Sequence, residues 1–453
     1  MDLKNKRVLV VGLGKSGVSA ALYLRRMGAR VTVSDARPSE SLANEIPALL
    51  AAGVMVETGG HGVLTFRRQD LVVVSPGVPL STPEIQQVLR YGTPLIGELE
   101  LAAQSMQGRV IAITGSNGKT TTTSLIGHIL RHAGLTTQVG GNIGLPVVEL
   151  LAADTPDTWN VLEVSSFQLE TIQTFRPHIA LVLNITPDHL DRHGTFENYA
   201  AAKARITENQ TAADHLILNA EDKPTQMIAA KTAAQIHWFS GNRRVKQGAF
   251  VHNDGIYLIR SEGDTPEPVL PLVEIPLRGA HNVENVLAAI QAAALAGVSL
   301  ATIREAIGTF RAVDHRLQFV ANVKGVDFYN DSKATNVDAT IKALQSFDRG
   351  VRLILGGKDK GSDYTVLAPL LRERASAVYT IGAAAQKIEQ QLANVVPIRH
   401  CETLQNALTR ATAEARTGDT VLLAPACASF DQFQSYEHRG RVFADLVHAL
   451  SNA

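Results

Sequence analysis

At 453 residues the chain exceeds one hydrophobic core of ordinary size, and roughly two to four domains are expected. Lysine plus arginine equals aspartate plus glutamate at 43 each; zero net charge speaks against a large nucleic-acid footprint, though not against a local basic pocket for phosphates. Two cysteines, Cys401 and Cys427, exclude a disulfide framework or cysteine-rich zinc site and suit a reducing cytoplasm.

The start, "MDLKNKRVLVVGLG", enters a strand and a glycine turn directly, without a signal-peptide pattern. "VSAALYLRRMG" is helical, "RVTVSD" and "DLVVVSPG" are strands, and the alternation predicts a parallel α/β sheet. Near residue 97 the rhythm restarts: "RVIAITGSNGKTTTTSLIGHILRHAG" is again strand, glycine turn and helix. "WNVLEVSS", "HIALVLNI" and "DHLILNAED" read as strands, and "TFENYAAAKARITENQ" as a helix with Thr195 as its N-cap. Residues 236–277 look like antiparallel strands. The stretch 286–303 is broken by Gln291, Gly297 and Ser299, so a buried helix, a glycine stop and a new helix are expected rather than a membrane span. After "GTFRAVDHRLQFV" come four more strands, "VDFYNDS", "VRLILGG", "AVYTIG" and "DTVLLAP". The fold class is therefore α/β with three domains, 1–97, 98–312 and 313–453: Rossmann-like, P-loop-type and Rossmann-like.

Two glycine turns carry chemistry. Gly12, Gly14 and Gly17 form G-x-G-x-x-G between a strand and a helix, and Asp35 ends the next strand. That context suits a diphosphate at a helix N-terminus, whether of NAD, FAD or a UDP-sugar. The second turn, Gly115-Ser116-Asn117-Gly118-Lys119-Thr120, is two residues shorter than the usual phosphate loop between its first glycine and Gly-Lys. Its physics is unchanged: backbone N–H groups and Lys119 can meet phosphates, and the Thr120 hydroxyl can ligate Mg²⁺. Glu163, at the end of an apolar strand in the same block, is the candidate carboxylate for that ion.

Several stretches together resemble the Mur ligases, the ATP-dependent amino-acid-adding enzymes of peptidoglycan synthesis. They are "TGSNGKTTT", "GGNIG", "LEVSSFQLE", "NITPDHLDRHGT", "AAKARI", "GAHNVENVLAA", "DHRLQFV", "NDSKATN" and "PACASFDQF". With "SPGVP" and the first glycine turn, the likeness is to the branch that acts on UDP-N-acetylmuramoyl-L-alanine and D-glutamate. The resemblance implies ATP, two Mg²⁺ ions, a monomer, no membrane partner, and a UDP site rather than a dinucleotide site at the first turn.

It also implies roles for individual residues. Gly115, Ser116, Asn117, Gly118, Lys119, Thr120 and Thr121 would hold the phosphates, and Asn282, Asn285, Arg316 and Asp331 the rest of ATP. Thr120 and Glu163 would hold one Mg²⁺. His189 and Lys203, the latter as a carbamate, would hold the second, so that Lys119, Glu163, His189 and Lys203 form the catalytic set. Gly14, Lys15, Ser16, Asp35, Arg37, Ser75, Gly77, Asn142 and Gln168 match the UDP-substrate positions. Lys333, Thr335, Lys360, Ser429 and Tyr436 match the amino-acid positions, with Lys358 a rival to Lys360 and Ser429 expected at a helix start. One departure is Asp35-Ala36-Arg37, where relatives often carry Asp-Thr-Arg. The missing hydroxyl bond is worth roughly 0.5–1.5 kcal/mol.

Overall fold

The computed structural model describes residues 2–311 and 314–451. The expected boundary at residue 312 lies outside the described residues. Among the described residues the strands gather into three sheets of five, nine and six strands.

The first sheet contains β1 (Arg7–Val11), β2 (Arg30–Asp35), β3 (Met55–Thr58), β4 (Leu71–Val74) and β5 (Leu95–Gly97) in the order β3-β2-β1-β4-β5, all parallel. The order reverses between β1 and β4, and ligands of such sheets sit beyond the strand ends at that reversal. The glycine turn follows β1 and Ser75 follows β4, so both stand there. A β-carbon on Gly17 would lie 1.9 Å from the Gly12 carbonyl oxygen. Glycine is thus what lets the helix Lys15–Arg26 close onto the strand end.

The second sheet contains β6 (Arg109–Thr114), β7 (Thr137–Gly141), β8 (Trp159–Glu163), β9 (Ile179–Val182), β10 (His215–Asn219), β11 (Gln235–Ser240), β12 (Gly248–His252), β13 (Gly255–Ile259) and β14 (Glu267–Pro271). Its order is β14-β13-β12-β11-β10-β9-β6-β8-β7. Antiparallel strands were expected across 236–277, but β11 and β12 pair in parallel. The helix Lys223–Ala229 carries the chain over to β11, which extends the parallel sheet, and residues 241–247 then return the chain to the middle of β11. The stretch read as helix, stop and helix is Ala280–Leu295, Gly297 at φ +92°, and Leu300–Thr309.

The third sheet contains β15 (Gln318–Val323), β16 (Val326–Asn330), β17 (Val351–Gly356), β18 (Ala375–Ile381), β19 (Ile398–Glu402) and β20 (Thr420–Leu423) in the order β15-β16-β20-β17-β18-β19. Only β15–β16 is antiparallel among the described pairs. Lys324 and Gly325, both at positive φ, close that hairpin as a two-residue turn requires.

The chain forms two compact units. One comprises residues up to 252 with 256–269 and 287–306; the other comprises 253–255, 270–286 and 307 onward. Within the first unit a single apolar core runs from Val10 and Leu24 through Leu99 and Ala102 to Val148, Leu169 and Tyr199, so the first two sheets share it. The helix Glu98–Ala103 lies in this seam. Burial pushes the Glu100 carboxyl upward, but hydrogen bonds from Gln104, Gln173 and Thr174 outweigh it and hold it below its ordinary value. For Glu98, 1% exposed, burial wins over the Val148 and Val147 amides and lifts the carboxyl to about 7.

Candidate active site

β6 is an apolar strand that ends in the loop Gly115–Gly118, and the helix Lys119–His132 follows. Gly115 has φ +152° and Gly118 φ +87°, conformations that side chains resist, so the glycines set the loop's shape. The loop is braced from the end of β9. Ser116 N–H donates to the Asn184 carbonyl (2.9 Å), Asn117 N–H to Asn184 Oδ1 (2.9 Å), and Asn184 Nδ2 back to the Asn117 carbonyl (3.1 Å). The Ser116 hydroxyl donates to the Thr186 carbonyl (2.9 Å) and lies 3.0 Å from the Tyr199 hydroxyl. Lys119 folds back, its ammonium donating to the carbonyls of Gly115 (2.8 Å) and Ser116 (3.0 Å). A braced loop with a cation at a helix N-terminus is suited to receive an anion.

The Thr120 hydroxyl donates to Glu163 Oε2 (2.8 Å), and Asn142 Nδ2 to Glu163 Oε1 (2.9 Å). Glu163 is 1% exposed, on β8, which is paired on both sides by β6 and β7. Asn142 belongs to the turn after β7, whose Gly141 (φ +103°) passes so close to Glu163 that a β-carbon would lie 2.3 Å from its carbonyl oxygen. Thr121 is buried in the helix's first turn.

Lys203, expected on its helix amid alanines, is 1% exposed. Its ammonium donates to the Gly115 carbonyl (2.9 Å) and stands 4.6 Å from the centre of the Tyr199 ring. Burial above all, and then the Lys119 charge, push this amine well below the ordinary lysine value, with Asp188 and Glu163 opposing. His189 sits at φ +53° before the short helix Leu190–His193, its ring 5.0 Å from Phe167 and its Nε2 3.7 Å from Asp188. Gln168 is buried and, in this state, serves as a helix cap: its Oε1 accepts from Ser165 N–H (3.0 Å).

At the first sheet's reversal point the Ser75 hydroxyl donates to the Gly12 carbonyl (2.8 Å). Gly14 caps the helix of Lys15 and Ser16, and Gly77 is exposed in the turn after β4. Asp35 Oδ2 accepts from Leu13 N–H inside the glycine turn (2.7 Å) and from Arg37 Nη2 (2.7 Å). Burial would raise the Asp35 carboxyl, but Arg37 and the Leu13 amide draw it down to about 2. The Lys15 ammonium donates to the Gly144 carbonyl, so the turn carrying Asn142 meets the helix that follows the first glycine turn and, through Glu163, Thr120 beyond the second.

The remaining expected residues lie in the second unit. Asn285 Nδ2 donates to Asn282 Oδ1 (3.0 Å), and Asn282 Nδ2 to the Arg278 carbonyl (2.8 Å). Asp331 is 8% exposed at the end of β16; burial lifts its carboxyl to about 6 while the Arg316 guanidinium and the Leu317 amide oppose. The Lys333 ammonium stands 3.8 Å over the Tyr436 ring, and Thr335 N–H donates to the Lys333 carbonyl (2.8 Å). Lys358 pairs its backbone with Ala428, beside Ser429, and both Lys358 and Lys360 are exposed. Ser429 was expected at a helix start; it lies in a run of turns, and the helix begins only at Tyr436. Hydrogen bonds from Gln432 N–H (3.2 Å) and Phe433 N–H (2.9 Å) to the Ser429 carbonyl make local turns that delay the helix.

Asn184, Tyr199 and Arg192 do structural work here that residue types alone did not single out. Asn184 and Arg192 fall inside the quoted stretch "NITPDHLDRHGT", which was the available signal.

Mg²⁺ takes few protein ligands and keeps water and phosphate oxygens. The Thr120–Glu163 oxygen pair fits that habit, and among the described residues no three His, Cys, Asp or Glu side chains gather into a preformed cage.

Three family descriptions match in series: "Mur ligase MurD-like, N-terminal domain" over residues 6–97, "Mur ligase middle domain" over 113–293, and "Mur ligase, glutamate ligase domain" over 315–427. The chain is 62% identical to the UDP-N-acetylmuramoylalanine–D-glutamate ligase of Acidobacterium capsulatum, covering 100% of this chain and 98% of that one. It is 60% identical to the enzyme of the same name from Koribacter versatilis, covering 100% and 99%. Its fold is similar to the crystal structure of UDP-N-acetylmuramate-alanine ligase from Thermotoga maritima, with TM-score 0.61 at 19% identity, covering 98% and 100%.

Proposed function

The chain belongs to the Mur ligase family, and from that premise we propose that it joins D-glutamate to UDP-N-acetylmuramoyl-L-alanine with consumption of ATP, in the synthesis of peptidoglycan precursors. The observation that carries the reading is the convergence of Lys119, Lys203, Thr120 and Glu163 on one glycine loop within a chain that matches the D-glutamate ligases end to end.

A carboxylate and an amine in neutral water form a salt rather than an amide, so the acid needs a leaving group. The alanyl carboxylate attacks the γ-phosphorus of ATP and ADP leaves; the resulting acyl phosphate is attacked by the glutamate amine, and phosphate departs from the tetrahedral intermediate. Two anions must meet in the first step, which calls for concentrated positive charge. Lys119 and the loop amides would hold the β- and γ-phosphates, Asn117 and Gly118 among them. Thr120 and Glu163 would hold one Mg²⁺, and His189 with a carbamate on Lys203 a second. Such ions offset charge between phosphate and attacking carboxylate. Forming the carbamate needs a neutral amine, which takes up CO₂ and releases a proton, and the depressed basicity of Lys203 favours it.

The first glycine turn, with Gly14, Lys15, Ser16, Ser75 and Gly77, would receive the UDP diphosphate, and Asp35 would present Arg37 to the base. Asn142 and Gln168 would face the reacting end. Asn282, Asn285, Arg316 and Asp331 would complete the ATP site, and Lys333, Thr335, Lys360 or Lys358, Ser429 and Tyr436 the glutamate site. Domain boundaries near 97 and 312, a monomer and a cytoplasmic location belong to the same reading. Among the described residues no helix is long and apolar enough to cross a membrane.

ADP release is expected to require both UDP-N-acetylmuramoyl-L-alanine and D-glutamate, with L-glutamate inactive. ATP turnover indifferent to both substrates would overturn the reading. Oxygen-18 placed in the alanyl carboxylate should appear in released phosphate.

A further inference from the structure

Arg192 joins the two sheet systems of the first unit. Its side chain is 14% exposed. Nη1 donates to the Pro76 carbonyl (2.9 Å) and Nη2 to the Val78 carbonyl (3.0 Å), so the guanidinium forks over the turn that follows β4. Nη2 also reaches Glu170 Oε2 (3.3 Å), and the guanidinium carbon stands 4.2 Å from the centre of the Phe167 ring. Phe167 in turn meets the rings of His189 at 5.0 Å and His193 at 5.3 Å. His193 closes the cluster through Glu170 (3.3 Å) and the Ser166 hydroxyl (3.0 Å).

The turn that Arg192 grips is the one that shapes the first glycine loop. Ser75 bonds the Gly12 carbonyl, Val78 N–H donates to the Ser75 carbonyl (3.0 Å), and a β-carbon on Gly12 would lie 2.6 Å from a Val78 methyl. At its other end Arg192 is three residues from His189, and its N–H donates to the His189 carbonyl (3.1 Å). A short, packed chain of contacts therefore runs from Gly12 to His189 through one side chain. Ion pairs at a surface are replaceable, but a forked donor on two backbone carbonyls fixes both distance and orientation.

We infer that Arg192 is a positioning residue that ties the Ser75–Val78 turn to the His189 segment, so that binding of the UDP-substrate and of magnesium nucleotide favour each other. The inference rests on the ligase reading for the identity of the two ligands. The coupling is reciprocal, as any equilibrium linkage must be.

The test is calorimetric titration of the full chain with UDP-N-acetylmuramoyl-L-alanine, without and with a saturating non-hydrolysable ATP analogue and Mg²⁺. In the unsubstituted protein the nucleotide is expected to tighten binding about fivefold or more. In Arg192→Ala and in Arg192→Lys, which keeps the charge and loses the fork, that gain is expected to vanish. Glu170→Gln, which leaves both carbonyl bonds in place, should retain it. Coupling preserved in both Arg192 variants, or missing from the unsubstituted protein, overturns the inference while leaving the ligase reading intact. Failure of the unsubstituted protein to bind the UDP compound overturns both. Failure of both Arg192 variants to fold while Glu170→Gln folds also counts against it, because it makes the residue a determinant of folding.

Discussion

Lys119 and Lys203 both donate to the carbonyl oxygen of Gly115, at 2.8 and 2.9 Å. Burial above all drives the Lys203 amine toward the neutral form, and repulsion by the Lys119 ammonium on the same acceptor adds to it. The same contact parks Lys119 on its own loop, where an arriving phosphate can take over its donors.

Replacing Lys119 with alanine should therefore lower turnover by roughly 10²–10³, the scale for losing one contact to developing charge. Steady-state ADP release measures it, and near-normal turnover would remove this loop from the mechanism.

Lys203 should carry a carbamate. With ¹³C-labelled bicarbonate, a carbamate carbonyl resonance is expected in the unsubstituted protein and absent in Lys203→Arg. Acid should erase it, since protonation of the amine reverses CO₂ uptake. An identical resonance in the variant would assign it to another amine.

Glu163→Gln keeps the shape around Thr120 and Asn142 but removes the charge. Its Mg²⁺ requirement should rise by an order of magnitude or more, on the scale of one charged hydrogen-bonded partner at about 1.5–3 kcal/mol. Rate against Mg²⁺ concentration gives the midpoint. Gly141→Ala should reach the same defect through the backbone, because its β-carbon would press on the Glu163 carbonyl from 2.3 Å.

Glu98 supplies a prediction about stability alone. Its carboxyl titrates near 7 when folded, against an ordinary value of 4.5, because burial disfavours the charge. The folded chain thus carries a penalty above pH 7 that eases as the pH falls and is gone below about 4.5. Glu98→Gln should be the more stable protein above pH 7, by about 3 kcal/mol at most. That advantage should fade between pH 7 and 4.5. Urea midpoints at pH 8 and pH 5 decide it, and an equal difference at both would assign the effect to packing.

The strands legible in the sequence were those with neighbours on both sides. β4, β8, β9 and β17 are buried from end to end; β4 and β9 read as unbroken apolar runs, and β8 and β17 as apolar runs interrupted by Asn160 and Glu163 and by Arg352. β3, β7, β15 and β19 did not stand out, and each lies at the rim of its sheet, paired on one side only. Their residues are largely half-buried or exposed, so no continuous apolar run marks them. β5, at the other rim of the first sheet, is buried but only three residues long, too short to register.

The site divides along a similar line. Glycines at 115 and 118, with Lys119 and Thr120 between strand and helix, mark a candidate phosphate loop by local context despite a spacing two residues short of the usual one, because backbone conformation and helix polarity are properties of adjacent residues. Glu163, too, was found from its place at a strand end. The burial of Lys203 among alanines could not be told from a surface lysine, since it depends on Gly115, Tyr199 and Lys119 arriving from elsewhere in the fold. Arg192 is the further case: nothing near it in the chain announces that it will fork over Pro76 and Val78, more than a hundred residues away. Local chemistry was written in the order of residues; desolvation and contact between distant segments were decided only when the sheets packed, because both depend on what closes over a side chain.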